Sequence, residues 1–149
     1  MQNHKIKHSE NKLTGIMQNS IYHNETLSKT EQFLQECAGW IRLLDFFKQE
    51  NSHLKTRLSL LVDHTSETDF LPSAEQFQNQ FILKDELITE IIQDVKKQEI
   101  ILSDFVIKKL SAEEKLVKKQ QKLRNEIEFL EKDFSADKHQ FNKFISSML

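Results

Sequence analysis

Between Phe33 and Leu61, apolar residues recur at alternating steps of four and three: Phe33, Cys37, Trp40, Leu44, Phe47, Leu54, Leu58 and Leu61, with the polar Asn51 in the same register. A mean step of 3.5 residues keeps one stripe of an α-helix turned toward a neighbour over many turns, and only helices lying side by side bury such a stripe. Two later stretches repeat the spacing. One runs Phe77, Phe81, Lys84, Ile88, Ile91, Val95, Gln98, Leu102, Phe105; the other runs Leu116, Gln120, Leu123, Ile127, Leu130, Phe134, Asp137, Phe141, Phe144, Met148. The pattern predicts an all-α chain of long helices and carries no catalytic signature of its own.

Three Ser-x-x-Glu/Gln pairs mark where those helices begin, because each side chain of such a pair can take up the other residue's free backbone N–H. Ser28 with Glu31, Ser73 with Gln76 and Ser111 with Glu114 predict helices over about 28–64, 73–109 and 112–148. The stretch 65–72 has turn chemistry, ending in Pro72, which disfavours helix in the residue before it. The second break, near Leu110, has no Gly or Pro to enforce it. Were it to fail, the last two helices would fuse into one rod. Residues 1–27, rich in Asn and His with no sustained apolar period, read as a flexible arm, with a short helix over about 10–20 that Gly15 weakens. The domain organisation is thus an arm over 1–27 and a bundle over 28–149.

Composition narrows the classes. A chain of 149 residues with only two Gly and one Pro, 30% charged residues and eleven Phe suits solvated helices around a filled interior. A formal charge of −2 argues against a general nucleic-acid binder, which neutralises phosphates with excess Lys and Arg. One cysteine forms no internal disulfide, no apolar run reaches the roughly 20 residues of a membrane span, and residues 1–10 lack the apolar core of a secretory signal. The expectation is a cytoplasmic protein without a membrane span.

Apolar residues beside the seams (Leu34, Ile41, Leu43, Leu87, Ile92, Ile101, Val106) make each stripe wider than a two-stranded zipper needs. Three or four helices therefore share one core, and short connections make neighbours antiparallel. The expected architecture is an up-down-up bundle of three long helices with heptad packing, closed by those three or by a fourth helix from the N-terminal arm or a second chain. This layout, with Trp40 on the first helix, resembles a spectrin-type repeat, which implies a three-helix architecture.

The seams contain polar residues that fall into two layers when counted outward from the turns. Asn51, Lys84 and Asp137 come within about one helical turn of one another, and Gln98 comes near residues 120–123 with Trp40 close by. A buried Lys84–Asp137 pair beside the Asn51 amide would penalise slipped registers at some cost in stability.

Candidate chemistry is sparse. Glu50 and His53 have the Glu-x-x-His spacing of di-iron bundles, but such a site needs a second copy and two further Glu, and the seam register turns His53 to solvent. Ser52-His53-Leu54-Lys55 resembles the site of histidine-phosphotransfer bundles, which implies a signalling role for His53; Thr56 stands where that family has Gly. Cys37 lies on the seam as a small buried hydrophobe. No catalytic residue, cofactor or metal site is expected. Lys115, Lys118, Lys119 and Lys122 crowd the start of the third helix, and Phe46 and Phe129 stand at outward positions of similar height. These six are the candidate interaction surface. The leading expectation is a non-enzymatic scaffold or adaptor acting through a protein partner or through itself; a phosphotransfer-type bundle using His53, and behind it a metal-binding bundle, are the alternatives.

Overall fold

The computed structural model of the protein describes residues 28–65 and 68–149, so the expected arm over 1–27, with its short helix, lies outside the described residues. Among the described residues there are three helices and no strand: α1, Lys29–His64; α2, Leu71–Ile107; and α3, Glu114–Met148. They form an up-down-up bundle. Glu36 meets Arg124 and Glu50 meets Lys138, so α1 and α3 run in the same direction; Lys84 meets Asp137 and Gln98 meets Gln120, so α2 runs against them. Contact between α1 and α2 is the most extensive of the three.

The start of α1 follows its local chemistry. Ser28 adopts an extended backbone (φ −49°, ψ 152°) and its Oγ accepts the Glu31 backbone N–H at 3.2 Å, satisfying one of the free donors of the first turn. The other two starts depart from the expected Ser caps. Helix α2 opens at Leu71, two residues before Ser73, from Phe70 and without a side-chain cap. Pro72 fits the first turn, where its missing N–H leaves no hydrogen bond broken. The physical cause is Phe70, which is buried, with its ring 6.4 Å from that of Phe144, and whose carbonyl accepts the first helical bond from Ala74 N at 2.9 Å. Helix α3 opens at Glu114 from Glu113, also without a side-chain cap, so Ser111 is left outside the helix.

The break near Leu110 is a true turn. Lys109 has φ 54°, Leu110 N donates to Phe105 O at 2.8 Å and Lys109 N to Val106 O at 3.1 Å. These two bonds, closed through one left-handed residue, are the Schellman ending of a helix. That position normally belongs to glycine, because a Cβ there costs roughly 1–2 kcal/mol. Lys109→Gly is therefore expected to raise the unfolding free energy by about 0.5–1 kcal/mol after the added chain entropy of glycine is counted, as measured by urea denaturation.

The seams fill the core from end to end, with Cys37, Leu44, Ile88, Val95, Leu102, Leu123, Leu130 and Phe141 fully buried. Side-chain rings gather at the α1–α2 turn: Phe141 lies 5.4 Å from Phe77 and 5.1 Å from Phe81, and Phe77 lies 5.0 Å from Phe144. Of the flanking apolar residues, Ile92 is buried and Leu34, Ile41 and Leu43 pack against the core, but Leu87 and Ile101 remain exposed. A three-helix core does not reach them.

Candidate functional site

One polar layer crosses the middle of the bundle. Lys84, only 7% exposed, directs its ammonium between two carboxylates of α3: Asp137 at 3.3 Å and Asp133, with which it also forms an ion pair. Asn51 is fully buried but does not join them. Its Nδ2 donates to Phe81 O at 2.8 Å and to Asp85 Oδ1 at 2.7 Å, and Asp85 is also paired with Lys55. The layer therefore divides into a Lys84–Asp133–Asp137 cluster between α2 and α3 and an Asn51–Asp85–Lys55 cluster between α1 and α2. Asn51 Oδ1 and Gln80 Oε1 are buried without a partner among the described residues.

A second layer surrounds Gln120, also fully buried. Its Nε2 donates to Phe33 O at 3.2 Å and to Glu36 Oε1 at 2.9 Å, while its Oε1 accepts from Gln98 Nε2 at 3.3 Å. Arg124 closes the layer with a two-pronged grip on Glu36, Nε to Oε2 at 2.9 Å and Nη2 to Oε1 at 2.6 Å. Burial alone would raise the Glu36 carboxyl, but hydrogen bonds from Arg124 and Gln120 outweigh it and hold the group below its ordinary value. Burial pushes the Cys37 thiol up to about 11, against the opposing Gln120 hydrogen bond. The thiol stays protonated at neutral pH and lacks the thiolate that nucleophilic or metal chemistry requires.

His53 is exposed on α1. The polar groups next to it are engaged elsewhere, Lys55 with Asp85, Glu50 with Lys138 at 2.6 Å, and the Thr56 hydroxyl with Ser52 O at 3.1 Å. No group of three or more His, Cys, Asp or Glu among the described residues is arranged to hold a metal ion. None of the described helices is long and apolar enough to cross a membrane.

The outer faces offer more. Lys115, Lys122 and Phe129 stand seven residues apart, two helical turns each, and share one stripe of α3. Lys119 and Asp133, beside that stripe, face Asp94 and Lys84, so it borders the groove between α2 and α3. Near the α2–α3 turn this groove opens to about 640 Å³ over an apolar floor of Ile101, Phe105 and Leu116, rimmed by Lys97, Lys115, Lys118, Lys119 and Lys122 with the carboxylates of Asp94 and Glu113 among them. Lys118 is paired with Glu114 at 3.0 Å and Lys122 with Glu126 at 3.8 Å, both on the exposed surface. Further along, the same face carries Phe129, Leu83 and Leu87, exposed by 67%, 63% and 36%.

Phe46 belongs elsewhere. It shares an α1 stripe with His53 and Leu60, next to Glu36 and Glu50, which reach α3 at Arg124 and Lys138. The constant offset of 88 residues in those two pairs sets Phe46 level with Phe134, more than one helical turn from Phe129 and not at its height. Phe46 borders the α1–α3 groove and Phe129 the α2–α3 groove. Leu83, Leu87 and Ile101 complete the apolar part of the α2–α3 face. Leu87 and Ile101 stand beside the α2 seam on the side turned to α3, and Leu83 stands further out on the same side.

Comparison with protein-family models, with curated proteins and with solved structures gives no match to this chain.

Proposed function

We propose that the protein is a non-enzymatic helical scaffold that works by protein–protein contact through its α2–α3 face. The observation that carries this reading is the coincidence, on one face, of an exposed Phe129 with Leu83 and Leu87 and an open, lysine-rimmed groove floored by Ile101, Phe105 and Leu116. Isolated exposed apolar residues are ordinary; a large aromatic on one face with aliphatic residues and an open groove is the composition of a contact surface with an anchor and a pocket. The lysine rim adds charge that orients an approaching acidic surface without committing the whole chain to polyanions.

A photo-crosslinking residue placed at position 129 tests this in cells that make the protein, with position 53 as the exposed control. The expected result is a discrete protein adduct from 129 and none from 53. Absence of any adduct at 129, or equal capture from both positions, contradicts the assignment.

A further inference from the structure

Resting on that reading of the α2–α3 face, we propose that its lysine-rimmed groove is the seat of residues 13–21 of this same chain, so that a partner gains the groove only by displacing them.

The chain enters α1 at the end of the bundle where the groove lies. Ser28 and Lys29 line one depression with Val106, Leu110 and Ala112, and the groove begins across the α2–α3 turn from it, at Phe105 and Glu113. The separation is roughly one helix diameter, about 10–12 Å. The six residues 22–27 reach up to about 20 Å when extended, enough to carry residue 21 to the mouth of the groove. A tether this short holds the segment before it at an effective concentration on the order of millimolar, so a contact too weak to recruit a separate protein stays occupied within the chain.

The segment matches the groove in pattern and length. At helical spacing Leu13, Ile16, Met17 and Ile21 share one side and Gly15, Gln18 and Asn19 the other, which suits an apolar floor with water above it. Leu13 to Ile21 spans about 12 Å at helical rise, and the groove, lined on α3 from Glu113 to Lys122, about 14 Å.

Charge sets the direction. No Asp, Glu, Lys or Arg stands between Lys12 and Glu25, so nothing in the segment opposes a rim of lysines, and Glu25 stays at the turn end beside Lys115 and Lys118. At the far end the face changes sign. Glu90 stands seven residues before Lys97 on one stripe of α2, and Glu126 midway between Lys119 and Asp133 on α3, both of which pair with α2. Counting from the Gln98–Gln120 contact sets the two glutamates within one turn of each other in height, just past Lys122. Glu90 is exposed, and Glu126 has only a 3.8 Å surface contact with Lys122. Lys12 leaves the groove at this acidic pair, with Lys7 and Lys5 beyond it against a single Glu10. Laid the other way, the segment would set Lys12 among the lysines.

An aliphatic diazirine residue at position 17 of the full chain, irradiated after purification, reads the contact by peptide mapping. The expected adduct keeps the monomer mass of 17.7 kDa and joins position 17 to residues 94–105 or 113–122. Ile101→Lys, which charges a floor residue that is 43% exposed, is expected to lose most of that adduct. Lys12→Glu is expected to lose most of it as well, and adding Glu90→Lys with Glu126→Lys to restore it, a rescue that a misfolded chain could not show. An adduct of twice the monomer mass would put a second copy in the groove and overturn the proposal. Adducts spread over all three helices, an adduct indifferent to Ile101→Lys, or a charge exchange that restores nothing would overturn it too. A chain that fails at position 17 but still captures a protein from position 129 keeps the contact face and loses only this segment as the occupant of its groove.

Discussion

Replacing Asp133 and Asp137 together by Ala is expected to lower the unfolding free energy by about 3–5 kcal/mol, whereas Lys84→Met costs about 1 kcal/mol or less. The asymmetry comes from where the charges sit. Lys84 is 7% exposed, while Asp133 is 40% and Asp137 20% exposed. Removing both carboxylates strands a buried ammonium without a counter-charge, the costly way of breaking an ion pair. Removing the ammonium leaves carboxylates that water can reach, separated by one turn of α3, and their repulsion amounts to a few tenths of a kcal/mol. Methionine also preserves the volume and flexibility of the lysine stem against the core. The combination Lys84→Met with Asp137→Leu is expected to be more stable than Lys84→Met alone, because it removes the less exposed of the two unpaired carboxylates. Urea denaturation of the four chains reads all of this. A double Ala variant as stable as Lys84→Met would mean that Lys84 is hydrated and not held by the acids.

Phe141→Ala is expected to cost about 3–5 kcal/mol, the usual loss for a large aromatic removed from a rigid interior. Phe141 is fully buried between Phe77 and Phe81 and lies beneath the Arg57 guanidinium, 5.6 Å from the ring centroid. Its cavity would open at the α1–α2 turn, where Phe70 and Phe144 also pack, and stiff aromatic neighbours close a void poorly. Phe141→Leu keeps much of the volume and is expected to cost under about 1.5 kcal/mol. Phe129→Ala, on the same helix and of the same chemistry, is expected to change stability by no more than about 0.5 kcal/mol. The contrast, read by thermal or urea unfolding, separates a phenylalanine that builds the fold from one that does not.

Much of this architecture is written in the spacing of single residues. The three seams and the Ser28 cap follow from periodicity and capping chemistry, which act over three to seven residues. The starts of α2 and α3 were less legible. Burial of Phe70 draws the first of them two residues earlier, and the second opens from Glu113, after a left-handed lysine that ends α2 where sequence offers no glycine to announce it. Counting from the turns also brings Lys84 near Asp137, but it cannot show Asp133 or Asp85, which flank the seams and are selected by how the helices rotate about their axes. The same rotation decides that Phe46 and Phe129 border different grooves. The groove itself, formed between α2 and α3 near their turn, has no signature in either helix alone.

The seams close within one chain, which leaves the α2–α3 face surplus to folding. The most direct measurement is the urea unfolding midpoint of Phe129→Lys beside wild type, both at concentrations low enough to be monomeric by sedimentation. Coincident midpoints and coincident slopes are expected. A midpoint that falls with Phe129→Lys under those conditions would show that this face is part of the fold, and would contradict it.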